Sequence, residues 1–226
     1  MKQLKTEHPL LFKPEMVIAT LEDRKTTTRR LNGLEEVNEN PDAWTLGRVG
    51  DLSWKVKKQY QGRFGAMFQS ELIEPRTISL CPQLCPYGRP GDTLWVRETW
   101  WHEQGLDFEN AAFMDGTIIS KTGLKTFVPN WAPTYATWKK RPGIHMFRWA
   151  SRITLKITNI RVQRLQDMLP IDAVSEGAYV PPKVKWGHAE GPLAIAQFAN
   201  LWDTINPKMN WEFNPWVWVI DFERVK

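Results

Sequence analysis

Eight residues near the amino terminus, Asp23 to Arg30 (DRKTTTRR), hold four cations and three hydroxyls. A lysine and a threonine this close can supply a nucleophile and its base, because a neutral amine takes the hydroxyl proton as the oxygen attacks. The lysine must first lose its own proton. Bringing its pKa from the ordinary value toward neutrality is a shift of about three units, or ~4 kcal/mol, which burial and neighbouring Arg24, Arg29 and Arg30 help impose. The candidate pair is Lys25 and Thr28. Side chains three apart in extended chain point to opposite faces, so these two converge only if the backbone turns between them.

A carboxylate across the pocket would hold or shuttle the proton. Glu176, in DAVSEGA, ends a short helix just before a glycine; Glu98, in VRETW, is its rival in a strand between Arg97 and Thr99. Taken singly, each residue also has a plain reading: a solvated basic loop, a strand threonine, a surface carboxylate, an ion-pair partner.

The elements that must position these groups come next. PEMVIATLED (14 to 23) has helical spacing with Pro14 at its start, so the basic cluster begins where a helix ends. Three successive threonines then favour extended chain. Strands are expected near 52 to 60, 67 to 78, 93 to 99, 152 to 164 and 216 to 224, with a hairpin from Leu52 to Ile78. A short helix is expected near NPDAW, another from Pro170 to Gly177, and an amphipathic one over 194 to 205. Residues 34 to 76 are polar and irregular, and 103 to 141 mix Gly, Asn, Pro and Trp without clear periodicity, as a long insertion over one face would. The expected class is α+β: a single domain over 1–226 with a β-barrel core, short helices and insertions at about 34–76 and 103–141.

Thirty Lys+Arg against twenty-five Asp+Glu give a net charge of +5, a mild bias toward polyanions that falls short of a DNA-coating protein. Thirteen tryptophans suit a nucleobase-sized pocket, since bases stack on indole, and equally suit a sugar site. KKRPGIHMFRWASR (139 to 152) interleaves Lys139, Lys140, Arg141, Arg148 and Arg152 with His145 and Trp149, which fits a nucleic-acid surface or a core segment flanked by solvated cations. Cys81 and Cys85 lack a second Cys/His pair at finger spacing and read as structural or free thiols, so no metal or other cofactor is expected. The amino-terminal apolar patch, broken by Lys13 and Pro14, is too weak for a signal peptide or membrane span, and a soluble, cytoplasmic protein is expected.

In order, a helix, RKTTTR, GDTLWVRE, SRITLKITNIRVQRLQDM, a short helix with SEGA, FANLWDTINP and NPWVWVIDFE resemble the landmarks of the ASCH domain, a PUA-like β-barrel, in the larger form common among phage and prophage proteins. The landmarks span nearly the whole chain. The resemblance is to the family's N(4)-acetylcytidine amidohydrolases, whose motif reads GRKTITIR. It implies removal of an acyl group from the exocyclic amine of cytidine or a related modified nucleoside, with Lys25 as base, Thr28 as nucleophile and Glu176 as proton donor or positioner. Arg30 falls on the family's following arginine, and Arg24, Glu98 and Trp149 join it as candidate substrate contacts. Asp23 departs from the family's glycine, although Asp tolerates left-handed backbone. Two other classes stay open: a PUA-like module that binds RNA or a modified base without chemistry, and an RNA-cleaving ASCH enzyme.

Overall fold

The computed structural model describes residues 6–52, 57–70, 79–105, 109–129, 137–177 and 190–225. The chain runs β1 (Glu7–Leu11), α1 (Pro14–Leu21), β2 (Thr27–Arg30), α2 (Glu35–Asn38), β3 (Thr45–Asp51), β4 (Phe64–Ser70), β5 (Ser79–Leu84) and β6 (Thr93–Arg97). It continues with β7 (Trp100–Glu103), β8 (Asn110–Ala112), β9 (Thr117–Ser120), β10 (Lys125–Phe127), β11 (Trp138–Arg141), β12 (Thr154–Arg164), α3 (Pro170–Ser175), α4 (Glu190–Ile205) and β13 (Trp216–Arg224). The class is α+β and mostly strand, as expected. Among the described residues no helix is long and apolar enough to cross a membrane.

The strands form three sheets: β1-β6-β12-β13-β2, β10-β9-β8-β7-β11 and β3-β4-β5. Among the described residues none of these sheets closes on itself, so the strand pairing gives three open sheets where a β-barrel core was expected. β1 and β2 are the edges of the first sheet, and a side chain joins them where a closed barrel would have a backbone ladder: the Arg30 guanidinium donates to the Leu11 carbonyl at 2.9 Å. The seam between those edges is therefore open to a ligand.

Within the first sheet, β13 is buried on both faces. Along β13, Trp216, Trp218, Ile220 and Phe222 enter one core with Leu94, Leu155 and Phe68, while Val217 and Val219 enter a second with Leu165, Ala173, Phe198 and Trp202. This is the period of two of a pleated strand with apolar residues on both sides. In β12 the buried set changes from Leu155 and Ile157 to Ile160 and Val162. A register shift between Ile157 and Asn159 resets the alternation, as an extra residue in one strand must.

The described parts of the two insertions hold more regular structure than their sequences suggest. In the first, β3 occupies 45–51, ahead of the strand expected at 52 to 60, and Lys58–Tyr60 is a 3-10 turn. The expected hairpin to Ile78 becomes the β3-β4-β5 sheet; its stretches 53–56 and 71–78 lie outside the described residues. Phe68 of β4 packs edge-on against Trp216 at 5.2 Å, holding this sheet on the first. The second insertion forms the antiparallel β7–β11 sheet over a small core of Trp100, Ala111, Phe113, Met146 and Ala150. Strands of three and four residues are too short to show a period, so the sequence reads as irregular there.

Candidate active site

The site begins with how α1 ends. Asp23 adopts φ 56°, Arg24 N donates to Ala19 O at 2.9 Å, and Asp23 N donates to Thr20 O at 3.2 Å. This is a Schellman closure with aspartate at the left-handed position usually held by glycine. The Asp23 carboxylate is held by Arg224 at 2.9 Å. The turn thus survives the departure from glycine and delivers Lys25 just ahead of β2.

β2 is an edge strand against β13. Phe222 N donates to Thr26 O, so the Thr27 and Arg29 carbonyls point away from β13 toward the open seam. Each is capped by a cation: Lys25 Nζ donates to Thr27 O at 2.8 Å, and the Arg30 guanidinium donates to Arg29 O at 3.2 Å. Thr27 Oγ1 donates to Asp221 and is structural.

Glu176 arrives from 151 residues away. Thr26 N donates to Ser175 O at 2.9 Å, tying the entry of β2 to the end of α3. Gly177 follows at φ 86°, and a Cβ there would lie 2.9 Å from Ala19 Cβ and 3.4 Å from Lys25 Cβ. Glycine is needed both for the backbone conformation and for this close approach. Lys25 Nζ then donates to the Glu176 carboxylate at 2.7 Å and to its carbonyl at 2.8 Å. Arg29 donates to the other Glu176 oxygen at 3.1 Å and to Asp172 at 3.1 Å. Lys25, Thr28, Arg29 and Glu176 are all buried.

Burial drives the Lys25 pKa below the usual lysine range by disfavouring the ammonium form; Glu176 pulls it back up, while Arg30 and Arg29 add to the depression. With three protons and three acceptors, the ammonium is fully bonded at rest. The Nζ to Oε2 bond is the route by which its proton can leave.

Lys25, Thr28 and Glu176 line one cavity of about 490 Å³, together with Phe12, Arg29, Arg30, Thr99 and residues of α4. That size lies in the usual range for small-molecule sites. Thr28 Oγ1 makes no hydrogen bond to other described residues, which leaves the hydroxyl for a ligand. Phe12 underlies both cations, with Lys25 Nζ 5.4 Å and the Arg30 guanidinium 5.6 Å from its ring centre.

The remaining candidates divide. Arg30 is at the cavity, whereas Arg24 pairs with Glu22 outside it. Glu98 is buried in a bidentate pair with Arg152 at 2.8 and 2.9 Å, and Arg152 also bonds Asp115. This network joins the end of β6 to the β8–β9 turn, the ion-pair role that was Glu98's plain reading. Burial pushes the Glu98 carboxyl up, against the pull of Arg152. Trp149 stacks on Phe147 at 6.4 Å and packs against the small core of the second sheet, outside the cavity lining. In the 139 to 152 segment Met146 is core, Arg148 pairs with Glu7 at 2.7 Å, and Lys139 and Lys140 are exposed. Cys81 and Cys85 are free thiols.

Asp172 and the cavity face of α4 were not among the residues singled out from the sequence. Asp172 stands four residues before Glu176, a spacing that brings two carboxylates to one face of a helix, and that signal was available.

Compared with family models, with curated proteins and with solved structures, the chain matches none. The class that the fold and site define is a strand-rich α+β protein with a lysine, a threonine and a glutamate at the open seam of its main sheet.

Proposed function

We propose that the chain is an amidohydrolase of the ASCH type, with a PUA-like core, which removes an acyl group from the exocyclic N4 amine of cytidine or a related modified nucleoside. The observation that carries this reading is the convergence of Lys25, Thr28 and Glu176 on one cavity from segments 151 residues apart. Proton transfer from Lys25 to Glu176 along their 2.7 Å contact converts the ion pair into a neutral amine and a neutral acid, and burial of Lys25 favours the amine. The neutral amine takes the Thr28 proton as its oxygen bonds to the acyl carbon. The C–N bond breaks as the exocyclic nitrogen receives a proton from Glu176, and water then hydrolyses the threonyl ester, returning the proton to Thr28.

The test is release of cytidine from N(4)-acylcytidines by wild type and by Lys25→Ala, Thr28→Ala and Glu176→Ala. Turnover by wild type and its loss in all three variants is expected; variants as fast as wild type would sink the assignment. The alternative of a non-catalytic RNA-binding module draws on exposed Lys139 and Lys140. It predicts salt-dependent RNA binding that weakens when these lysines are neutralised, without acyl release. Neutralisation of Arg148 and Arg152 by carboxylates weakens that alternative.

A further inference from the structure

The cavity has two unlike walls. One carries Arg30, Asn32 and Thr99, and the Asn32 and Thr99 side chains make no hydrogen bond to other described residues, leaving donors and acceptors for a polar ligand edge. The other is α4, which presents Phe198, Leu201, Trp202 and Ile205. Their spacing of three, four and seven residues forms a single stripe along the helix. Phe198 lies under the Arg29 guanidinium at 5.8 Å, beside the Glu176 contact, and Ile205 is seven residues farther on, ~10 Å along the axis. The stripe therefore leads outward from the reacting groups.

Its outer end is left uncovered. Leu11, Ile144 and Ile205 are 45%, 56% and 41% exposed, and all three line this cavity, contributed by β1, by the segment after β11 and by α4. A single exposed aliphatic residue is ordinary on a protein surface, but three from distant segments converging on one cavity mark an apolar binding surface. An acetyl group offers this surface one methyl and would leave most of it in water.

We infer that the acyl group removed at this site is bulky and apolar, lying along α4 toward Ile144 and Ile205, while the pyrimidine faces Arg30, Asn32 and Thr99. The inference rests on the amidohydrolase reading and names its substrate class: N(4)-acylcytidines with an aromatic or branched acyl chain, cleaved by water to the carboxylic acid and cytidine.

The experiment compares N(4)-phenylacetylcytidine with N(4)-acetylcytidine, since both carbonyls are bonded to an sp³ carbon and their intrinsic reactivities are close. The expected kcat/KM is at least about tenfold higher for the phenylacetyl compound, in line with what several added carbons gain in an apolar pocket. Leu201→Gln and Ile205→Gln should each lower the phenylacetyl-to-acetyl ratio by about tenfold; position 205 is exposed, so its substitution does not threaten folding. Acetyl turnover equal to or faster than phenylacetyl turnover overturns the inference and leaves the amidohydrolase reading standing, as does a ratio that neither variant moves. Release of cytidine from neither compound overturns both.

Discussion

Removing Glu176 should cost more stability than removing Lys25, although they form one ion pair. With an effective dielectric constant of 20, the Lys25–Glu176 contact at 2.7 Å corresponds to about 6 kcal/mol of Coulomb attraction and the Arg29–Glu176 contact at 3.1 Å to about 5 kcal/mol. Each buried ion offsets several kcal/mol of this through lost hydration. Lys25→Met removes one attraction, relieves burial of one charge, and leaves Glu176 compensated by Arg29; the expected net cost is about 1–2 kcal/mol. Glu176→Gln removes both attractions and leaves two buried cations, only Arg29 keeping a carboxylate, Asp172; the expected cost is about 3–5 kcal/mol. Urea unfolding at pH 7 reads the difference: with a slope near 2–3 kcal/mol per M, the two midpoints should lie about 1 M apart. A Lys25→Met variant as unstable as Glu176→Gln would refute the bridging role given to Glu176. The double variant should cost less than the sum of the singles, since removing both partners leaves no ammonium stranded.

Thr28→Val keeps the β-branched shape and should reduce turnover of an N(4)-acylcytidine on the order of 10³-fold or more, with a thermal midpoint close to wild type. Gly177→Ala should destabilise by about 1–2 kcal/mol, from its positive φ and the collision with Ala19, and should lower turnover through displacement of Lys25. Arg152→Met strands the Glu98 carboxylate in a buried site and should cost about 3–5 kcal/mol in urea unfolding, part of it recovered when Glu98→Gln is added. Burial pushes the Cys81 and Cys85 thiols up to about 12, so at pH 8.5 a thiol reagent should label the native chain far more slowly than the unfolded one. Because the Lys25 pKa is depressed in the folded state, the unfolded chain binds more protons below the ordinary lysine pKa. Stability relative to Lys25→Met should therefore rise with pH toward 10.5, as paired melts across that range would read.

Local chemistry was legible from the chain alone. Pro14 starts α1, Asp23 can hold the left-handed turn that ends it, consecutive threonines extend β2, and Gly177 ends α3; each depends on backbone preferences within a few residues. Lys25, Thr28 and Glu176 stood out in the sequence by residue type and by the turns beside them, and the structure places all three at one cavity. The β12 bulge was hidden because one extra residue shifts the register without a distinctive residue type to mark it. The strands between 103 and 141 were hidden because each is too short to show a period.

Only the tertiary structure decided which charges meet. Glu98 and Glu176 are both buried carboxylates beside basic residues. Arg152 holds one against the second sheet, while α3 docks through Ser175 O and Gly177 and brings the other to Lys25 and Arg29. Ion pairing depends on distances of a few ångströms between segments 54 or 151 residues apart, and a sequence carries no record of those distances until the sheets have packed. The sequence by itself determined the residue types and turns of the site; packing at the seam between β1 and β2 determined that Lys25, Thr28 and Glu176 share a cavity and that α4 forms its apolar wall.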